Sequence, residues 1–233
     1  MKKVHDKIVD VRGNIITIRA KNVGLAELAL VRRKNGRETF ASVVRFDKDL
    51  VFLQVFENTR GLSTGDQVIF LGKEMMAQFS SKLMGRRFDG KGAPIDSGPK
   101  VVGESIGIAN PSFNPINRIV PKEQVRTNIP MIDVFNCLVK SQKIPIFSVA
   151  GEPYNDLLMR IANQTDADVV IIGGMGLRFD DYQRFIENAE NAGCLEKTVM
   201  FVHQATDPLV ECLLVPDMSL AVAENFAKKG KNV

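Results

Sequence analysis

From Asn128 to Val233, short apolar runs alternate with amphipathic stretches of helical period, an order that an α/β layer accommodates and few other folds do. Ile144-Pro145-Ile146-Phe147 reads as a buried strand, Ser148 to Pro153 as a loop, and Tyr154 to Thr165 as a helix with Leu157, Leu158 and Ile161 on one face. Asp168 to Ile172 is a second strand, followed by a helix from Asp180 to Ala192. Thr198 to Val202 is a third strand, and Met218 to Lys229 a helix that Asp217 would cap. A shorter helix is expected at Met131 to Val139. The cluster Gly173-Gly174-Met175-Gly176 reads as a tight turn at the carboxyl edge of the sheet, where open α/β sheets bind ligands.

Before residue 72 the texture differs. Ile15 to Arg19, Leu28 to Arg32, Thr39 to Phe46, Leu50 to Phe56 and Gln67 to Leu71 are short β-rich runs parted by turn residues. Asn35-Gly36 predicts a two-residue hairpin, since both residues tolerate the positive φ of a type I′ turn. Residues 1–72 are therefore expected to form a small antiparallel barrel, with no cluster of reactive side chains. Residues 73–126 are rich in glycine and proline and read as an extended linker wrapping the next unit, with Asp89-Gly90-Lys91-Gly92 as a turn. Residues 127–233 form the α/β unit.

A strand, a tight loop and a helix together make a phosphate cradle, because backbone N–H groups and the helix N-terminus supply positive potential. The working form is GxxxxGK(S/T), whose lysine reaches the β- and γ-phosphates and whose hydroxyl binds Mg²⁺. Here the corresponding segment is Ser148-Val149-Ala150-Gly151-Glu152-Pro153-Tyr154-Asn155-Asp156. It has one glycine and no lysine, Glu152 and Asp156 add negative charge, and Pro153 removes an amide donor. Such a loop binds a triphosphate poorly. Taken by itself, it reads first as an ordinary strand-to-helix connection. No carboxylate lies within Gly173 to Leu177 to polarise a water, and Asp180 and Asp181 suit the first turn of a helix.

Composition removes several classes of function. The 31 basic and 27 acidic residues are scattered, and Lys228, Lys229 and Lys231 form the densest basic stretch, at the C-terminus. Without a basic stripe or interleaved aromatics, nucleic-acid binding is not expected. Cys137, Cys194 and Cys212 are too widely spaced for a metal pair or a disulfide framework, and read as buried reduced thiols in a reducing compartment. His5 and His203 lack ligand-spaced partners, so no metal site is expected. No apolar run reaches membrane-spanning length and the N-terminus lacks a signal-type apolar core, which predicts a cytoplasmic protein.

The stretch Arg126-Thr127-Asn128-Ile129-Pro130-Met131-Ile132-Asp133, continuing through Gln142-Lys143-Ile144-Pro145-Ile146-Phe147-Ser148, resembles the B subunit of V/A-type rotary ATPases and ATP synthases, the bacterial branch above all. The resemblance extends to Gln54-Val55-Phe56-Glu57-Asn58-Thr59-Arg60-Gly61-Leu62 and to the run Leu83 to Asp96. It also takes in Asn114-Pro115-Ile116-Asn117-Arg118 and Pro153-Tyr154-Asn155, where the family usually has Pro-His-Asn. It implies an α/β protein with an N-terminal all-β domain, a small antiparallel β-barrel followed by an incomplete P-loop-NTPase-like parallel sheet with flanking helices.

Several functional expectations follow from the resemblance. The chain would be non-catalytic, a structural and regulatory wall to the site of a catalytic A subunit with which it alternates in a hexamer around central-stalk subunits. It would bind no cofactor tightly, ATP or ADP with Mg lying at the interface with the catalytic subunit. Membrane contact would come only through the complex, which couples ATP synthesis or hydrolysis to proton or sodium transport. Ser148, Gly151, Glu152, Pro153, Tyr154 and Asn155 would be the degenerate phosphate loop. The family's arginine finger, Walker-B position and helical domain are expected beyond Val233, since Arg118 and Arg126 match linker motifs. On that reading the α/β domain is truncated and presents an open sheet edge. The competing reading is an autonomous nucleotide-binding protein or NTPase with a degenerate loop.

Overall fold

The computed structural model describes residues 3–5, 8–108, 116, 120–149 and 151–233, the first of these segments by backbone alone. Seven strands form one antiparallel sheet: β1 (Lys3–His5), β2 (Ile8–Arg12), β3 (Ile15–Arg19), β4 (Leu28–Arg32), β5 (Glu38–Asp47), β6 (Leu50–Val55) and β7 (Gln67–Phe70). Their order is β1-β7-β4-β5-β6-β3-β2. β1 and β2 are nearly continuous in the chain yet stand at opposite edges, so the sheet must curl until those edges approach. The Ile8 N–H donates to the carbonyl of Thr64, just ahead of β7, at 3.2 Å and bridges that seam. Ala41 and Val43 on β5 and Val51, Leu53 and Val55 on β6 alternate inward and are all buried.

The hairpin between β4 and β5 departs from the expected type I′ turn. Gly36 has φ +82° while Asn35 stays outside the positive region, and the Gly36 N–H donates to Arg33 O at 2.9 Å. The loop is thus one residue longer, with only glycine in the left-handed conformation.

Residues 73–126 are more structured than a wrapping linker. β8 (Met76–Phe79) pairs antiparallel with β10 (Glu104–Gly107), and β9 (Arg87–Asp89) joins the parallel sheet beside β14 (Thr198–Gln204). Between β9 and β10 the chain folds back around one ion pair. Arg86 donates to both carboxylate oxygens of Asp96, at 2.5 and 2.9 Å, and Asp96 also accepts from the amides of Arg87 and Gly98. These bonds, the Arg86 side chain first, hold the Asp96 carboxyl down at about 2. Most of the Asn114 to Arg118 motif lies outside the described residues.

The α/β unit is a three-stranded parallel sheet of order β13-β14-β9, with β13 running Val170–Leu177. Its central strand is buried on both faces. Val199 and Phe201 point to one side, where Phe88 stacks on Phe201 at 5.4 Å and α4 (Leu209–Lys228) contributes Met218, Ala221, Val222 and Phe226. Phe79 on β8 closes this layer with its ring edge-on to Phe226 at 4.9 Å. Met200 and Val202 point to the other side, beneath Tyr182, Phe185 and Ile186 of α3 (Phe179–Asn191) and Met159 of α2 (Tyr154–Gln164).

Further expectations are corrected. Ile144 to Phe147 is not a buried strand. It is irregular chain with Phe147 90% exposed, because no neighbouring strand among the described residues offers it a ladder of hydrogen bonds. The predicted helix from Met131 to Val139 stops as α1 (Pro130–Phe135), and β12 (Leu138–Val139) pairs instead with β11 (Gln124–Val125). The cluster Gly173 to Gly176 is carried within β13 rather than turning out of the sheet. The last helix begins nine residues before Met218, so Asp217 lies inside it and Pro208 takes the cap position. Pro216 also falls inside α4, where it deprives the Cys212 carbonyl of its helical donor. Of the cysteines only Cys194 is buried; Cys137 is exposed and Cys212 half-buried.

Candidate functional site

The segment expected to cradle phosphate enters α2 over an exposed path. Ser148, Gly151, Glu152, Pro153 and Tyr154 are all exposed and Asn155 is half-buried. The loop is held mainly by its own backbone: Glu152 N–H donates to Val149 O at 3.2 Å and Tyr154 N–H to Glu152 O at 2.9 Å. The Ser148 hydroxyl donates to the neighbouring Val149 carbonyl at 3.1 Å instead of facing a ligand position. Gly151 sits at φ +96°, a conformation that keeps glycine there. Pro153 at the N-cap offers no side-chain acceptor to α2.

Facing this loop, the exit of β13 and the first turns of α3 bring two arginines. Gly151 to Asp156 line one wall of a shallow cavity of about 330 Å³, with Arg178, Asp181 and Arg184 on the other. Arg178 pairs with Asp181 at 3.1 Å, a bond that raises the guanidinium pKa further. The cavity thus carries mixed charge, with no lysine among its lining residues. The structure brings all of the loop residues except Ser148 to this one cavity. As a triphosphate cradle the set does not fit. The Glu152 and Tyr154 N–H groups are spent on local turns, the helix N-terminus is preceded by proline, and Glu152 and Asp156 crowd the position.

Two features of the same edge were not read from the sequence. His203, at the end of β14, is buried and holds the β13 exit in place. Its Nδ1 accepts from the Gly176 N–H at 3.1 Å, and Nε2 lies 3.3 Å from Asp207 O, which together select the neutral Nε2–H form. A lone histidine with no ligand-spaced partner gives no sign of this, since its partners are backbone atoms. The second feature is a groove of about 760 Å³ along β13, lined by Leu158 and Ile161 of α2 and by Ser219, Leu220 and Ala223 of α4. Within the groove region the Ser219 hydroxyl is buried without a hydrogen-bond partner among the described residues. β13 has no further strand beside it among those residues, but Asp168 and Val169 donate their N–H groups to Asn232 O at 2.9 and 3.1 Å.

The motif from Arg126 to Asp133 explains how α2 is anchored. Asp133 reaches back to accept from the Thr127 amide and hydroxyl at 2.9 and 2.8 Å and from the Asn128 amide at 2.9 Å, bonds that lower its pKa. Asn128, held at φ +55°, then donates its side-chain amide to the carbonyl of Gln164 at the end of α2. Among the described residues no group of histidine, cysteine and carboxylate side chains could hold a metal ion. Nor is any described helix long and apolar enough to cross a membrane.

A curled antiparallel barrel joined to a parallel α/β unit is a domain pair found in a nucleotide-binding family, and sequence comparison agrees. Residues 8–72 match the ATP synthase alpha/beta family beta-barrel domain, and residues 128–233 match that family's nucleotide-binding domain. The chain belongs to the ATP synthase alpha/beta family. Within it, the chain is 68% identical over its whole length to a V-type ATP synthase beta chain of Protochlamydia amoebophila, covering 53% of that protein. It is 59% identical to the V-type ATP synthase beta chain of Chlamydia pneumoniae, again covering 53% of it. The chain therefore spans about half the length of the relatives it matches. Among solved structures, the assembled ATPase EscN of the enteropathogenic E. coli type III secretion system superposes with a TM-score of 0.88 at 26% identity. That match covers 97% of this chain and 55% of EscN. EscN in complex with its central stalk EscO gives a TM-score of 0.85, also at 26% identity.

Proposed function

We propose that this chain serves as the non-catalytic B subunit of a V-type ATP synthase, a wall beside the catalytic site of an A subunit in an alternating hexamer. The observation that carries this reading is the loop from Ser148 to Asn155: it leads into the first long helix of a nucleotide-binding domain yet lacks the phosphate-binding lysine, and two of its amides are spent on local turns. ATP or ADP with Mg would then be held chiefly by the partner, with this chain closing the interface. Central-stalk subunits would contact the assembled ring, and the membrane would be reached only through the complex. The loop residues Ser148, Gly151, Glu152, Pro153, Tyr154 and Asn155 would mark a subunit specialised away from hydrolysis, in the cytoplasmic head of the complex.

The test is assembly without catalysis. Mixed with the matching A subunit, the B chain should co-elute in a higher-mass species, and Mg-ATP titrated into the B chain alone should give no micromolar binding. Turnover by the isolated chain, or tight Mg-ATP binding, would instead support an autonomous NTPase. Failure of the full-length B chain to associate with the A subunit would remove the proposal.

A further inference from the structure

The turn Asp89-Gly90-Lys91-Gly92 lies at the end of β9, where the barrel, the parallel sheet and α4 meet. Each residue has a separate structural reason to be there. The Asp89 carboxylate accepts from the amides of Lys91 and Ala93 at 2.9 and 2.8 Å and sets the turn. Gly90 lets the backbone approach the first turn of α4: a Cβ on it would lie 2.5 Å from Glu211 O. Gly92 takes φ +84°. Lys91 is then aimed into the junction, its ammonium 2.8 Å from Glu211 on α4 and 3.9 Å from Glu57 in the loop after β6.

Glu211 is only 4% exposed. Burial pushes its carboxyl above the usual range, ahead of the opposing hydrogen bond from Lys91. Burial alone would lower Lys91, but the bond to Glu211 and the fields of Glu211, Asp89 and Glu57 outweigh it and leave the ammonium firmly charged. A buried pair of this kind adds little net stability, because desolvation offsets the attraction, but it fixes one geometry. Around it the apolar contact is continuous: Val210 of α4 packs with Leu28 and Phe56 of the barrel. Farther along, α4 belongs to a different cluster, through Val215, Met218, Ala221, Val222 and Phe226 against the sheet, with Leu214 touching both.

We infer that the Asp89 to Gly92 turn is an ionic joint, with Lys91 as the shared cation through which the first turns of α4 and the position of the barrel are coupled. The joint does not depend on the subunit assignment, since both carboxylates belong to this chain. The first turn of α4 is tied to the barrel through Val210 and the rest of the helix, from Val215 on, to the sheet, so motion of one unit is delivered to the other at this turn.

Hydrogen–deuterium exchange on the full chain tests the joint, comparing residues 50–58 of the barrel, 209–215 of α4, and 179–191 of α3 as a control. Lys91→Met should raise exchange in the first two segments by about tenfold or more while α3 is unchanged. Glu57→Gln, at an exposed position, should raise both by a smaller factor, about threefold. The exchanged pair Lys91→Glu with Glu211→Lys should restore α4 and leave the barrel segment fast, because Glu57 then faces a carboxylate. Should Lys91→Met fail to fold, Glu211→Gln and Glu57→Gln decide the matter. Faster exchange confined to α4, or full recovery of both segments in the exchanged pair, overturns the joint.

Discussion

The barrel encloses one core and the parallel sheet separates two, one on each face, and their edges differ as well. The barrel sheet curls on itself until the start of β2 bonds to the chain just ahead of β7, through the Ile8 N–H and Thr64 O, which covers part of its edge. The parallel sheet has β9 on one side and β13 on the other, and among the described residues only the bonds to Asn232 continue the ladder along β13. Closure comes cheaply to an antiparallel unit of adjacent hairpins, while a parallel sheet needs strands from distant parts of the chain. The barrel therefore behaves as a finished unit and the sheet as a surface for further contact.

Substitutions on the two sides can break or sharpen this contrast, and the largest effect is expected in the parallel sheet. Phe201→Ala removes a ring that is 2% exposed and stacked on Phe88, and should cost about 4 kcal/mol in denaturant unfolding. Leu53→Ala in the barrel core should cost about 3 kcal/mol. If the two units are independent, each variant loosens amides only in its own half. Equal loosening in both halves would show that they unfold as one, as strong coupling at Lys91 demands.

Asp96→Asn should cost about 2 kcal/mol at neutral pH, the magnitude that a carboxyl held at about 2 instead of 3.8 implies. The sign follows from the depressed pKa. The contribution is complete above pH 3.8 and is lost as pH falls toward 2, so wild type and variant should converge in acid. Gly173→Ala places a Cβ 2.8 Å from the Ser219 hydroxyl and should cost about 1 kcal/mol, relieved when Ser219→Ala is added. Arg178→Ala, at an exposed ion pair, should leave the unfolding midpoint essentially unchanged. A larger loss there would mean that the β13 exit depends on the arginine as well as on His203.

The barrel strands were legible because they carry their own signal: period-two alternation between turn residues, as in Glu38 to Val43. The helices Tyr154–Gln164 and Phe179–Asn191 were legible for the same local reason. Ile144 to Phe147 has a strand's composition, but composition does not supply a neighbour, and strand formation depends on one. Gly173 and Gly174 read as a turn because glycine usually weakens strands; here Ser219 and Val215 on α4 lie so close that a side chain has no room. Asp217, read as a cap, suggested a start at Met218, yet tertiary packing of Val210 and Val215 carries α4 back to Leu209. At the candidate site the loop's lack of lysine was plain from sequence. The opposing arginines and the His203 bond were not, since both depend on how β13 and β14 align.

The placement of β9 has a consequence for how the polypeptide could be divided. The exposed, irregular stretch around Phe147 is an open target for a protease that cleaves after aromatic residues. A single cut there separates β9 from its partner β14 in sequence but not in space, and Phe79, Phe88 and Ile106 of the first piece remain embedded among Phe201, Met218 and Phe226 of the second. The two pieces should therefore stay together as a non-covalent pair, a split protein whose halves recognise each other across one shared core.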